Sequence, residues 1–284
     1  MRGISVALAS LLLAGLCAIP PTAAIDLGAG VVNVAPTILS ISLSGLSSGT
    51  LTPSSGTTAT VTATVVAVDL NGFNDLVAGA GCSGAGVTVG IVKPNGVTVH
   101  LAEAAGSFST GLANSATYTK SLAMNFYDAA ALTTNTYKVK ATATDCGGLT
   151  GTNALTLAVF NYAQLVAVNA PASLSLGGSL TPGTAGSITS ISLQNYGNMQ
   201  MDAQVSGTAL TLGSDSIPVS AMAYSLASDL TGSAALSGSA ATLSSFDLGS
   251  GSSSSKSIYF QLTPPTGLPA GTYTGTLTVA AISG

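Results

Sequence analysis

The 284-residue sequence has few charges, no tryptophan and a single histidine. Lysine and arginine together number 6, against 10 acidic residues, and charged residues make up 6% of the chain. Binding to a phosphate backbone needs a basic surface, which so few cations cannot form. We therefore expect no nucleic-acid partner.

Side chains for several kinds of catalysis are also scarce. Glu103 is the only glutamate, so a pair of catalytic glutamates is excluded. Zinc sites need clusters of histidine and cysteine, and His100 stands alone in a strand-like run where we expect a surface position. The sequence predicts a protein that is not an enzyme and requires no cofactor.

The first residues have the order of a targeting segment. Arg2 precedes an apolar run over residues 4–19, which a Pro-Pro pair and small residues follow. This order indicates a secretory signal peptide over residues 1–24, cleaved before Ile25. No later run approaches the ~18 apolar residues of a membrane-spanning helix. We expect a secreted, cell-surface protein without a transmembrane anchor.

Cysteine is rare, with three residues in the chain. Removal of the signal peptide takes away Cys17 and leaves Cys82 and Cys146 as an even pair in an oxidising compartment. We predict a disulfide between them, which contributes about 4 kcal/mol in the chain-entropy picture because it closes a long loop. The alternative is a pair of buried free thiols.

The chain contains many runs in which apolar and polar side chains alternate. Residues 59–67 alternate apolar and threonine side chains, and Asn95-Gly96 between two alternating runs is a strong hairpin signal. Turn-rich segments separate many such runs, as in a sandwich. We predict an all-β fold of two antiparallel, Ig-like β-sandwich domains in tandem, over residues 37–162 and 163–284.

Three further runs are predicted to be strands. Residues 137–143 alternate so that tyrosine, valine and alanine face inward and lysine and threonine outward. Residues 39–43 alternate leucine and isoleucine with serine, which predicts an early strand. Leu155, Leu157 and Val159 are predicted to form the strand that closes the first domain.

Acidic and amide side chains gather where two predicted strands end. Asp69, Asn71 and Asp75 follow the threonine-rich strand, and Asp145 follows the Tyr137 strand. In a sandwich these ends lie at one pole, where three carboxylates would repel one another without a cation. Ca²⁺ prefers such oxygen ligands, so we predict a calcium site. The alternative is that both stretches are simply turns.

The expected start of the secreted chain is an extended, alternating segment over residues 25–36. Its apolar positions are Ile25, Leu27, Ala29 and Val31. Pro36 separates it from the next predicted strand, and a mean hydropathy of +0.57 is high for a soluble monomer. We predict that it adds as a strand to a neighbouring copy, which generates filaments because the contact does not close. The alternative is that it is the first strand of its own domain.

The pattern Asp69-x-Asn71-Gly72-x-x-Asp75, followed by a tyrosine-led strand ending at Asp145, resembles Ig-like and cadherin-like modules of prokaryotic, particularly archaeal, cell-surface proteins. The second half, with Leu193–Asn198 and Leu268–Thr276, is similar to sandwich modules of envelope, spore-coat and biofilm-fibre proteins. The resemblance implies a structural, adhesive or assembly role.

Together these features predict a non-catalytic subunit of a pilus-like fibre, sheath or envelope layer. Its partners would be further copies of itself or other cell-envelope proteins. The alternative function is a surface adhesin that binds its ligand through loops of the sandwiches.

Overall fold

The computed structural model describes residues 30–79, 82–251 and 254–284, and its regular structure is almost entirely β. The strands before residue 163 are β1 Thr37–Ser44, β2 Thr50–Leu51, β3 Thr58–Val68, β4 Gly86–Val92, β5 Val99–Ala105, β6 Ser107–Leu112, β7 Ser115–Asn125, β8 Tyr137–Thr144, β9 Thr150–Thr152 and β10 Val159–Tyr162. The later strands are β11 Val168–Asn169, β12 Thr189–Asn195, β13 Met201–Gly207, β14 Leu210–Leu212, β15 Asp215–Ile217, β16 Met222–Ser225, β17 Ala234–Ala235, β18 Ala241–Leu248, β19 Ser255–Leu262 and β20 Leu277–Ser283. Short 3₁₀ helices cover Phe73–Leu76 and Val219–Ala221.

The first ten strands form two sheets around one hydrophobic core. One sheet has the order β1-β3-β7-β6, and the other has the order β2-β10-β8-β4-β5 with β9 paired to β8. Neighbours run antiparallel, except that β2 lies parallel to β10. Because side chains alternate across a strand, β3 and β8 each give every second residue to the core. These residues are Val61, Ala63, Val65, Ala67, Tyr137, Val139, Ala141 and Ala143.

The later strands build a second set of antiparallel sheets. Their orders are β11-β12-β19-β16-β17, β18-β13-β20 and β14-β15. They enclose a separate core that includes Leu193, Met201, Phe246 and Phe260. The prediction of an all-β fold with tandem sandwiches is confirmed. The strands given above all lie in the compact unit Val34–Gly284. The domain boundary predicted between residues 162 and 163 stays a prediction.

The predicted hairpin at Asn95-Gly96 is confirmed. It joins β4 to β5, and the backbone N–H of Lys93 donates to the carbonyl of Thr98 at 2.8 Å. After β5 the chain passes to the other sheet at Gly106, whose N–H donates to the carbonyl of Val87 at 2.8 Å. The segment continues as β6, a strand that the alternation pattern did not predict, at the edge of the first sheet.

In β1 the inward-facing side chains do not follow the simple alternation that the sequence predicts. The pairing of β1 with β3 shifts register between Ile38 and Ser40. Ile41 faces the core, whereas Leu39 is 64% exposed. A bulge of this kind turns the following side chains to the other face, which an alternation of leucine and serine does not reveal.

The prediction that Leu155 and Leu157 lie in the closing strand is wrong. At this point the side chain of Asn153 makes hydrogen bonds to the backbone of β8. Its buried side chain accepts the N–H of Ala141 at 2.7 Å and donates to the carbonyl of Val139 at 3.0 Å. The chain then turns through both leucines before β10 begins. In β10 the side chains of Phe160 and Tyr162 are buried, and that of Val159 is exposed.

The described part of the N-terminal segment is not a strand within its own chain, and its addition to a neighbouring copy stays a prediction. Residues 30–36 belong to no strand, and the side chains of Val31 and Val32 are 84% and 80% exposed. Ile25, Leu27 and Ala29 lie outside the described residues. No helix in the described ranges is long and apolar enough to cross a membrane.

Candidate metal centre

Three aspartates converge where two strands end. Asp69 directly follows β3, Asp145 directly follows β8, and Asp75 lies on the 3₁₀ helix Phe73–Leu76. One carboxylate oxygen from each of the three lies within 4.8 Å of the others. The predicted gathering of acidic side chains at one pole is therefore present in the structure.

Asp69 and Asp145 are each only 1% exposed, and Asp75 is half-buried. Backbone N–H groups satisfy part of the cluster. Asp69 Oδ1 accepts the N–H of Asn71 at 2.7 Å, and Asp145 Oδ1 accepts that of Leu149 at 2.7 Å. Asp75 Oδ1 accepts the N–H of Cys146 at 3.2 Å. These bonds hold the carboxylates in fixed orientations.

Asp69 Oδ2 is different from these oxygens. It is buried, and no hydrogen-bond partner for it exists within the part of the chain that the structure describes. Burial raises the pKa of Asp69, the N–H of Asn71 lowers it in part, and the charges of Asp75 and Asp145 raise it further. Asp69 is thus a carboxylate whose negative charge is poorly compensated by its surroundings.

Asn71, the fourth predicted ligand, makes a contact of another kind. Its Oδ1 accepts the backbone N–H of Val34 at 2.9 Å. This bond joins the acidic loop to the C-terminal part of the N-terminal segment. Its role as a metal ligand stays a prediction.

The loop over residues 69–76 is also tied to the turn between β6 and β7. The N–H of Asp69 donates to the carbonyl of Asn114 at 2.8 Å, and that of Phe73 donates to the carbonyl of Ala113 at 3.0 Å. The Phe73 ring packs over Gly111 of β6, where a Cβ atom would come within 2.5 Å of it. A substitution at Gly111 would therefore displace the ring and the loop.

The predicted disulfide between Cys82 and Cys146 is confirmed, with Cα atoms 5.1 Å apart. Cys146 directly follows Asp145, and its N–H also donates to the carbonyl of Asp75 at 2.8 Å. The disulfide therefore fixes the backbone beside two of the three converging carboxylates.

A second polar site lies at the opposite end of β8, and the prediction of a surface position for His100 is wrong. His100 Nε2 lies 3.0 Å from Asp128 Oδ2, and both side chains are mostly buried. Asp128 comes from the loop after β7, so no local pattern in the sequence connects the pair. A cavity of about 470 Å³ is lined by both residues together with Lys93, Asn95, Tyr127 and Tyr137. Burial, with the charge of Asp128, raises the pKa of Tyr137 to about 12.

Gly45-Leu46-Ser47-Ser48-Gly49 has the spacing of a nucleophile elbow. Such an elbow is a sharp turn from a strand into a helix. Here the segment links β1 to β2 instead, and Ser47 pairs with Thr50 through backbone hydrogen bonds of 2.9 Å. The motif is a turn in this fold.

No protein-family model matches the sequence, and no curated protein matches it. Among solved structures, the chain is similar to a chaperone–tip adhesion subunit complex, CsuC-CsuE, from the archaic chaperone-usher Csu pili of Acinetobacter baumannii. The identity is 13%, the match covers 68% of this chain and 76% of that chain, and the TM-score is 0.31.

A chaperone–tip adhesin complex of CFA/I fimbriae biogenesis is similar at 10% identity, over 88% of this chain and 84% of that chain, with a TM-score of 0.30. Both neighbours are complexes of pilus subunits with their chaperones. TM-scores of this size do not establish a common fold, so neither protein's role is transferred to this chain.

Proposed function

We propose that this chain is a secreted, non-catalytic structural subunit of a cell-surface assembly such as a pilus-like fibre, sheath or envelope layer. Copies join when residues 25–34 of one add as a strand to a sheet edge of the next. The observation that supports this most directly is the N-terminal segment. Residues 30–36 belong to no strand, and Val31 and Val32 are 84% and 80% exposed. Their apolar side chains are therefore accessible to a neighbouring copy.

An edge suited to receive the segment is β6, which pairs with β7 on one side and ends the first sheet on the other. Edge strands are normally protected by lysine, proline or bulges. β6 contains neither lysine nor proline, although its pairing with β7 shifts register between Phe108 and Thr110. Phe108 and Leu112 expose apolar surface there, which an incoming apolar strand would cover.

The low proportion of charged residues in the chain agrees with an assembled state. Charged residues make up only 6% of the chain, against about 25% in ordinary soluble domains. A strand donated from one copy to a different surface on the next is a head-to-tail contact. Such contacts extend without closing unless the rotation happens to form a ring, so filaments or sheets are the expected products.

The test is electron microscopy of the protein beginning at Ile25 beside one beginning at Thr37. We expect filaments or sheets from the first and single particles from the second. Leu112→Lys, at a residue 72% exposed on β6, should abolish assembly, whereas Leu39→Lys, at a residue 64% exposed on the opposite edge strand, should not. Single particles from both chain lengths would overturn the proposal. Equal behaviour of the two lysine variants would exclude β6 as the acceptor.

A surface binding module is the second candidate, and the cavity beside His100 favours it. Its volume of about 470 Å³ lies in the range of small-ligand sites, and two tyrosines and a His–Asp pair line it. A glycan array with the wild type and Tyr127→Ala tests this alternative. Binding that the substitution removes would support an adhesin, and an array without signal would count against sugar as the ligand.

A further inference from the structure

We propose that Asp69, Asp75 and Asp145 hold one divalent cation of the Ca²⁺ class, which clamps the loop over residues 69–76 to the disulfide-bearing turn after β8. The three converging carboxylates and the unpartnered buried oxygen of Asp69 carry this inference. It goes beyond the proposed function and does not depend on it.

The distances suit a single ion. Ca²⁺ binds oxygen at about 2.3–2.6 Å, so two ligands on opposite sides of it are separated by about 5 Å. One oxygen from each aspartate lies within 4.8 Å of the other two. This spacing is close to the one at which three oxygens bind a single ion.

The buried oxygen is a second and independent observation. Buried polar atoms in native proteins are almost always hydrogen-bonded, because a lost partner costs about 1–3 kcal/mol and more for a charged group. Asp69 Oδ2 has no such partner among the described residues, and its residue is 1% exposed. A cation between the three side chains would satisfy this oxygen and remove the repulsion among their charges.

The other buried aspartates show that burial alone does not leave an oxygen unsatisfied. Asp128 Oδ2 accepts the N–H of Asn125 at 2.6 Å and lies 3.0 Å from His100 Nε2. Asp202 Oδ1 accepts the N–H of Asp247 at 2.9 Å. Asp69 stands beside two further carboxylates instead.

The chemistry of the donors selects the class of ion. The three ligands are carboxylates, which suit hard cations rather than zinc or copper. Ca²⁺ takes 6–8 oxygens in flexible geometry, so water and nearby oxygens can complete its shell on the side of the half-buried Asp75. Mg²⁺ demands a regular octahedron and gives up its water reluctantly, which makes it the less suitable ion.

The rival explanation is a proton shared among the three carboxylates, and calcium titration separates the two. We would measure isothermal titration calorimetry and thermal unfolding of the secreted chain, beginning at Ile25, in chelator, Ca²⁺ and Mg²⁺. A bound cation stabilises the folded state in proportion to the logarithm of its concentration above Kd. We expect melting to shift upward with Ca²⁺, and Asp69→Asn to weaken Ca²⁺ binding about ten-fold or more.

Asp229→Asn is the matched control. Asp229 is an exposed aspartate of the second sandwich whose Oδ1 accepts the N–H of Thr231 at 2.9 Å, a bond that asparagine can keep. This variant should respond to Ca²⁺ as the wild type does. In chelator, Asp69→Asn should melt at or above the wild-type temperature, because it removes one of three crowded charges. A merely structural role for Asp69 predicts lower melting with and without calcium.

Half-buried Asp75 supplies a variant that is less disruptive if Asp69→Asn does not fold. Asp75→Asn should also weaken Ca²⁺ binding about ten-fold or more. A wild type that shows neither heat of binding nor a melting shift with Ca²⁺ would overturn the proposal. So would variants at Asp69 and Asp75 that keep the full response, and a response to Mg²⁺ but not Ca²⁺ would overturn the assignment of the ion.

Discussion

Asn71 Oδ1 accepts the backbone N–H of Val34 at 2.9 Å, so the loop that carries Asp69 and Asp75 also holds the last residue of the proposed assembly strand. The unit over Val34–Gly284 begins at this bond. The position where the proposed assembly strand leaves the sandwich therefore depends on the same loop as the proposed cation site.

Replacement of Asn71 by alanine should release the Val34 amide. The bond is exposed, so the expected loss of stability is about 1 kcal/mol or less, and the more sensitive measurement is hydrogen exchange at that amide. We expect faster exchange at Val34 in Asn71→Ala and unchanged exchange in Asn74→Ala, an exposed residue of the same loop. Equal exchange in both variants would show that Asn71 does not hold the segment.

Removal of calcium should have a similar but weaker effect on the same amide. The proposed ion joins Asp69, next but one to Asn71, to Asp145, so chelation should loosen the loop and speed exchange at Val34. Amides of β12 in the second sandwich should not change. If hydrogen exchange at the Val34 amide does not depend on calcium, the ion does not influence the N-terminal segment.

Loss of the disulfide should lower the free energy of unfolding by about 4 kcal/mol, as the chain-entropy estimate gives for the 64-residue separation of Cys82 and Cys146. The variant is the double substitution Cys82→Ser and Cys146→Ser, and urea unfolding measures it. Because Cys146 follows Asp145, calcium affinity should fall as well. If the free energy of unfolding falls by the full ~4 kcal/mol but the calcium affinity does not change, the turn keeps its shape without the disulfide.

Asn153→Ala should destabilise the first sandwich by about 2–4 kcal/mol. It leaves the buried N–H of Ala141 and the carbonyl of Val139 without the side-chain partners that they have in the structure. Asn161→Ala is the control, because Asn161 accepts the N–H of Thr133 at an exposed position and its loss should cost much less. Equal free energies of unfolding for the two variants would contradict the role assigned to Asn153.

Glu103 gives a prediction about acid stability. Burial by itself raises the pKa of Glu103, but hydrogen bonds from Lys140, Thr142 and Thr88 outweigh it and lower that pKa below its usual value. Lys140 Nζ lies 2.7 Å from Glu103 Oε1. A lowered pKa in the folded state means that the carboxylate stabilises the fold above the pKa of unfolded glutamate. This contribution disappears as the pH falls through the folded value.

The measurement compares Glu103→Gln with the wild type by urea unfolding between neutral pH and about pH 3. The Glu103–Lys140 ion pair is partly exposed. We therefore expect the free energy of unfolding of the variant to be lower by about 1 kcal/mol or less at neutral pH, and this difference should vanish in acid. A difference that stays constant across this range would show that the carboxylate charge does not stabilise the sheet.

Several features could be predicted from the sequence because their causes are local. Residues 59–67 and 137–143 alternate with the period of a strand, and the structure buries one side of each. Asn95-Gly96 supplies the tight turn that a hairpin needs. The pairing of Cys82 with Cys146 followed from counting cysteines after the expected removal of Cys17.

Other features depended on contacts between residues far apart in the chain, which no local period records. The bulge in β1 turns Leu39 outward, and the Asn153 side chain replaces strand backbone along β8. His100 meets Asp128 across 28 residues. The sequence indicated that acidic side chains would gather at one pole. Only the tertiary structure decided that Asp69 Oδ2 is buried without a partner, because burial and hydrogen bonding arise when the two sheets pack together.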